Sequence, residues 1–230
     1  MSIDLAAARL ARVRAEVAKA AERAGRSPAE VRIIAASKYA DVEAVRALAD
    51  VGQEDFGENY VQSALAKMQA VERPHLRWHL IGALQSNKAA RAASAFHLIH
   101  SVSSESTLRA IARAVGQNRS TCRLLIQIWL GGGGGRAGVA PGEAVAFLRS
   151  ATALPGIVVD GVMGVAPEGV EARPHFARLR EVLESLRALG LPNAPLREMS
   201  AGMSEDFSDA IREGATMVRI GRALFRDSGA

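Results

Sequence analysis

Only four lysines stand among the 29 basic residues of this chain, so amines suited to covalent chemistry are few: Lys19, Lys38, Lys67 and Lys88. Lys38 is distinguished by its place. It closes the apolar run Val31-Arg32-Ile33-Ile34-Ala35-Ala36-Ser37-Lys38, which reads as the first buried strand. An amine at a strand end is a candidate for imine chemistry if the chain also carries a phosphate-binding apparatus. The other three are less well placed. Lys19 belongs to an amphipathic opening helix, and Lys67 falls in mid-helix between Val61 and Val71, where a solvated side chain is expected. Lys88 follows Gln85-Ser86-Asn87 at a helix start, where it either meets substrate or is solvated.

The segment Ser200-Ala201-Gly202-Met203-Ser204 suits an anion, because small residues admit close backbone approach. Ser204 is placed to cap a helix whose first N–H groups point at the ligand, with Glu205 and Asp206 in its first turn. Those acids suit a helix start without any ligand too, so an ordinary capped helix also accounts for them. In Thr216 to Gly221, alternation puts Met217, Arg219 and Gly221 on one face and Val218 and Ile220 on the other. An inward Arg219 needs a carboxylate or a ligand atom, and Glu198, inward by similar counting, is its candidate structural partner. Met163, within Gly161-Val162-Met163-Gly164, reads first as core packing. His79 and His100 fall on strands, but the five histidines show no metal-ligand spacing, so no metal is expected.

These residues need a frame to bring them together. Apolar strand-like runs occur at 31–38, 53–57, 77–82, 96–102, 122–130, 157–165, 195–200 and 216–221, separated by segments of helical spacing. The clearest of those holds Phe176, Leu179, Val182, Leu183, Leu186 and Leu189, stopped by Gly190 and Pro192. Ile3, Leu10, Val13, Val17 and Ala20 mark an additional N-terminal helix ending near Gly25. Eight strand–helix alternations without a linker predict a single-domain (β/α)8 TIM barrel over residues 1–230, with an open doubly wound sheet as the competing arrangement. In a barrel, the residues after each strand share one mouth, where Lys38, the Gly57-Glu58-Asn59-Tyr60 stretch, residues 200–204 and Arg219 converge.

Composition narrows the class of function. The 230 residues are about half apolar, enough for one large core. The sole cysteine, Cys122, lies in an apolar run and is expected to be an inert buried thiol. Met1 to Glu22 mixes charge with apolar residues, so neither a signal peptide nor a membrane span is expected and the cytoplasm is the expected compartment. The net charge of +5 is dispersed and rarely interleaved with aromatics, which argues against nucleic acid.

Taken in order, Ser37-Lys38, Gly57-Glu58-Asn59-Tyr60-Val61-Gln62, Trp78 through Lys88, Ser200 through Ser204 and Val218-Arg219-Ile220-Gly221 resemble the YggS/PROSC family of pyridoxal-phosphate-binding proteins. That family is related in fold to the barrel domain of alanine racemase. The resemblance spans essentially the whole chain. It implies that Lys38 holds pyridoxal phosphate as an imine and that Ser200, Gly202, Met203, Ser204 and Gly221 surround its phosphate. It implies too that Arg219 faces the pyridine nitrogen, with Asn59, and Met163 also among the cofactor-binding residues, near the ring. A protonated arginine can only donate, so it disfavours a pyridinium and weakens the ring as an electron sink. The implied function is carriage and homeostasis of pyridoxal phosphate with little turnover, with apo-enzymes as recipients and a monomeric state. A weak racemase or lyase is the enzyme alternative, and an aldolase attacking a phosphosugar is a third class. A two-base racemase needs a second acid/base opposite Lys38, and neither a candidate nor room for a racemase-type second domain is evident in the sequence.

Two stretches depart from the family pattern. Tyr39-Ala40-Asp41 follows the lysine where the family usually has threonine and, shortly after, proline. After the fifth strand, Trp129-Leu130 and Gly131 to Gly135 replace a loop with Asn and Glu, while Arg136-Ala137-Gly138 is similar to its basic residue and glycine. Five glycines carry high chain entropy, so a mobile rim is expected there.

Overall fold

Arg32 pairs with Met217 and Ala35 with Phe56, so the first strand is hydrogen-bonded in parallel to both the last strand and the second, and the sheet closes. The computed structural model describes residues 1–118, 120–131 and 138–226. Of the glycine-rich stretch expected to form a mobile rim, all but Gly131 lies outside the described residues, as does Arg136. The eight strands are β1 (Arg32–Ala36), β2 (Asp55–Glu58), β3 (Arg77–Leu80), β4 (Leu98–Val102), β5 (Cys122–Gln127), β6 (Ile157–Met163), β7 (Glu198–Ser200) and β8 (Met217–Ile220). They form a closed parallel barrel in chain order, which is the expected (β/α)8 architecture and excludes the open sheet.

Helix α1 (Ile3–Arg23) precedes the barrel, with the Ser2 side chain accepting from the Leu5 amide at 3.3 Å. The helices between strands are α2 (Val42–Asp50), α3 (Val61–Val71), α4 (Ala89–Ala95), α5 (Glu105–Asn118), α6 (Ala144–Thr152), α7 (Arg173–Arg187) and α8 (Phe207–Arg212), and the short α9 (Arg222–Phe225) follows β8. Leu10, Val13 and Val17 bury the inner stripe of α1, whereas Ile3 is exposed at the helix start. Phe176, Leu179, Leu183 and Leu186 do the same for α7.

Alternation along the strands divides the apolar residues into two layers. Ile34, Leu98, Leu125, Met163 and Met217 form the small core inside the barrel. Ala35, Phe56, Leu80, Ile99, Leu124, Val162, Val218 and Ile220 face outward into the larger core beneath the helices. Cys122 is buried in that outer core, and burial pushes its thiol up to about 12, so it is inert.

Below the inner core, the strands contribute charges that neutralise in pairs. Asp55 of β2 accepts from Arg77 of β3 at 2.7 and 2.8 Å, and Asp160 of β6 accepts from Arg123 of β5 at 2.6 Å. Arg32 of β1 meets Glu198 of β7. The last pair corrects an expectation. Glu198 is not the partner of Arg219; it sits at the opposite end of the barrel, bonded to Arg32 and to the Thr216 hydroxyl at 2.6 Å. Two residues of strand separate Glu198 from the mouth, and inward facing alone does not specify depth.

Candidate functional site

The mouth at the C-terminal strand ends holds a cavity of about 760 Å³. Lys38, Asn59, Met163, Ser204, Arg219 and Gly221 line it, and the exposed Tyr39 and Met203 border it. Its size falls in the range of small-molecule sites, roughly 300–1,000 Å³. None of the other three lysines lines it.

Lys38 is carried on a turn, since β1 ends at Ala36 rather than at the lysine. The turn is fixed at both sides. Ser37 continues the barrel ladder through its amide to the Gly57 carbonyl at 2.9 Å, and Asp41 caps α2 by accepting from the Ala44 amide at 2.7 Å. Beneath it, the Ser37 hydroxyl donates to Glu58 at 2.7 Å, and the Lys67 ammonium donates to Glu58 and to the Ser37 carbonyl, each at 2.6 Å. Lys67 is therefore a nearly buried brace for the Lys38 turn, not the solvated side chain expected from its mid-helix position. A signal for this existed: Val61, Ala64 and Val71 are the buried stripe of α3, and Lys67 stands on that stripe. The Lys38 ammonium itself lies over the Tyr39 ring, 4.6 Å from its centroid, with the Arg226 guanidinium 5.3 Å from the same ring.

Asn59 reaches the mouth because its backbone packs against Gly82. A Cβ on Gly82 would come within 2.3 Å of the Asn59 carbonyl oxygen, so only glycine permits this approach.

Arg219 is buried at the cavity floor, as alternation along β8 predicts. It donates to the Ser200 hydroxyl at 2.8 Å and to the Gly164 carbonyl at 3.1 Å. Both are neutral acceptors. Burial lowers its pKa to about 10, with the charge of Asp206 opposing that shift, so it stays a cation at neutral pH.

The loop after β7 departs from the expected helix cap. Helix α8 starts at Phe207, three residues beyond Ser204, and has only six residues. Asp206 turns its carboxylate back to accept from the Met203 amide at 2.6 Å, closing a turn that competes with a Ser204 cap. Ser204 lies in that turn, facing the cavity. Gly202 is needed at its place, with φ of 87° and a Cβ position 2.7 Å from both Ala210 and Phe207. Its carbonyl accepts from the Arg219 amide at 2.9 Å. Ser200 and Gly202 thus stand behind the cavity wall, Ser200 wholly buried, while Met203, Ser204 and Gly221 reach the lining.

Behind Ser200 runs a feature that spacing rules did not identify. His100 Nδ1 lies 2.9 Å from Ser200 Oγ, His100 Nε2 2.9 Å from His79 Nδ1, and His79 Nε2 2.9 Å from Asp55 Oδ1. Both histidines are pushed down by burial, His100 further than His79. Burial works to raise Asp55, but hydrogen bonds from Arg77 and His79 outweigh it and hold the carboxyl far below its usual range. Among the described residues, no group of three or more His, Cys, Asp or Glu is arranged to hold a metal ion.

Comparison with known proteins follows the same lines. Residues 8–229 match the family model described as alanine racemase, N-terminal domain. The chain is 38% identical over 226 residues to a pyridoxal phosphate homeostasis protein of Pseudomonas aeruginosa, covering 96% of each. The chain belongs to the YggS/PROSC family of pyridoxal phosphate homeostasis proteins. The Escherichia coli K12 family member is 34% identical over 223 residues, with 94% of each chain covered. The solved family member PipY of Synechococcus elongatus, with pyridoxal phosphate bound, superposes with a TM-score of 0.83 at 36% identity, covering 96% of this chain and 99% of PipY. Alanine racemase from Corynebacterium glutamicum, at 18% identity and a TM-score of 0.69, shares the fold. No helix among the described residues is long and apolar enough to cross a membrane.

Proposed function

We propose that this chain is a single-domain carrier of pyridoxal phosphate that holds the cofactor covalently as an imine of Lys38, acts in the cytoplasm as a monomer, and releases it to apo-enzymes with little turnover of its own. The observation that carries this reading is the pairing of Lys38 with a buried Arg219 across one cavity, where Arg219 has no carboxylate among its hydrogen-bond partners within the described residues. A buried cation with only neutral acceptors has donors to offer a ligand atom. A pyridine nitrogen, which accepts through one lone pair, fits that floor.

The cofactor, when bound, supplies an aldehyde for covalent attachment and a ring able to delocalise electrons. The protein's residues set how far that capacity is used. Lys38 provides the amine, and the Glu58–Lys67 brace holds the turn bearing it. Arg219 donates without offering a proton acceptor, so it would favour an unprotonated ring nitrogen and limit carbanion chemistry. The Ser204 side chain would hold the phosphate, and Asn59 and Met163, which line the cavity, would lie against the ring. The PipY complex supports the same ligand, and the names of the curated relatives support homeostasis as the role.

The test is spectroscopic. Protein incubated with pyridoxal phosphate should turn yellow and lose that absorbance with borohydride, and the holo-protein should activate an apo-enzyme on mixing. A protein that stays colourless and transfers nothing would refute the reading.

A further inference from the structure

The Asp55, His79, His100, Ser200 and Arg219 side chains form one continuous hydrogen-bonded chain from the bottom of the barrel to the floor of the mouth. Its ends are chemically fixed. Arg219 can only donate, and Asp55, paired with Arg77, can only accept. Between them lie three contacts, Ser200–His100, His100–His79 and His79–Asp55, and three protons to fill them: the serine hydroxyl proton and one on each neutral imidazole.

One arrangement satisfies every contact. His79 donates from Nε2 to Asp55 and so accepts at Nδ1. His100 then donates from Nε2 and accepts at Nδ1, which obliges the Ser200 hydroxyl to donate to His100 and leaves its oxygen free to accept from Arg219. The reverse arrangement places the bare Nε2 lone pair of His79 against the Asp55 carboxylate at 2.9 Å. Protonating either ring adds a cation to a buried network that already contains Arg219 above and Arg77 and Arg32 below, the three arginines whose charges oppose it, with Asp55 the carboxylate favouring it. Every dipole in the neutral chain therefore points its negative end at the Arg219 guanidinium.

We propose that His100 and His79 are positioning residues for Arg219, setting Ser200 as an obligate acceptor so that the guanidinium presents its remaining N–H groups to the ring nitrogen of the bound cofactor. Neither imidazole lines the cavity, so their influence passes through Ser200. The proposal rests on the cofactor reading above, and it extends the site four residues beneath the lining.

The test compares two ligands, pyridoxal phosphate and its 1-deaza analogue, in which C–H replaces the ring nitrogen while aldehyde and phosphate are kept. A charge-assisted hydrogen bond from Arg219 should make the wild-type protein prefer pyridoxal phosphate by about tenfold or more. In His100→Leu, shown to be folded by circular dichroism, that preference should fall to about threefold or less, because Ser200 loses its fixed orientation. His100→Asn, which can present an amide oxygen to Ser200 in place of Nδ1, should restore much of it. If His100→Leu does not fold, His79→Phe removes the next acceptor in the chain and carries the same comparison. Equal loss of affinity for both ligands, with the preference unchanged, would show that the histidines are structural only and overturn the proposal. Absence of any pyridoxal phosphate binding by wild type would instead overturn the cofactor reading, and it is visible before any variant is made.

Discussion

Replacing Lys67 by methionine removes an ammonium that makes two 2.6 Å hydrogen bonds, one to a carboxylate that is only 1% exposed and one to the carbonyl preceding Lys38. Methionine keeps most of the side-chain volume, so the loss is electrostatic rather than a cavity. Breaking a buried ion pair by removing one partner costs roughly 3–5 kcal/mol, because the remaining charge is stranded. Lys67 is 11% exposed, so water reaches the edge of the pair and the lower end, about 3 kcal/mol, applies here. For a chain of this size that corresponds to a melting temperature lower by about 6–12 °C. Glu58→Gln alone should cost less, since the freed ammonium lies near solvent, and the double variant should be more stable than the sum of the single losses implies. Thermal melts of the four proteins by circular dichroism give the coupling directly. A Lys67→Met melting temperature within about 2 °C of wild type, or strictly additive losses, would refute the brace.

Two further outcomes follow from the buried network and the mouth. The folded pKa values of His79 and His100 are depressed, so their contribution to stability is complete above the unfolded histidine value near 6.5 and is lost as pH falls below it. Asp55, also depressed, adds a loss of the same sign below about pH 4. The melting temperature should therefore drop between pH 7 and pH 5, and this drop should be smaller in His100→Leu; a flat profile in the wild type would contradict the buried neutral pair. Ser204→Ala should weaken binding of pyridoxal phosphate more than that of unphosphorylated pyridoxal, by about threefold to tenfold for one lost hydrogen bond. Equal losses in a titration of both ligands would place the phosphate away from the loop after β7.

Much of this site was legible in the sequence because the barrel is built from a period of two. Alternation in Met217 to Gly221 suffices to aim Arg219 inward, and the apolar run before Lys38 suffices to bring that lysine to the mouth. Depth was not legible. Glu198 and Arg219 both face inward, yet they lie at opposite ends of the barrel, and only the register between strands separates them. Contacts between a helix and the strand beneath it were legible only in part: the stripe of α3 includes Lys67, but nothing in the sequence names Glu58 as its partner. The Ser204 cap failed for a local reason: the Asp206 and Phe207 amides that it would accept from donate to the Met203 carbonyl instead, at 3.2 and 2.9 Å. His79 and His100 carry no mutual spacing signal, because residues on adjacent strands meet through barrel closure rather than through sequence periodicity.

Borohydride reduction of the loaded protein followed by peptide mass mapping decides whether Lys38 alone carries the cofactor. The wild-type protein should yield a single reduced pyridoxyl adduct on Lys38, and Lys38→Ala, folded and exposed to the same ligand, should yield none while losing its yellow absorbance. A stoichiometric adduct on Lys67 or Lys88, in either protein, would contradict the account.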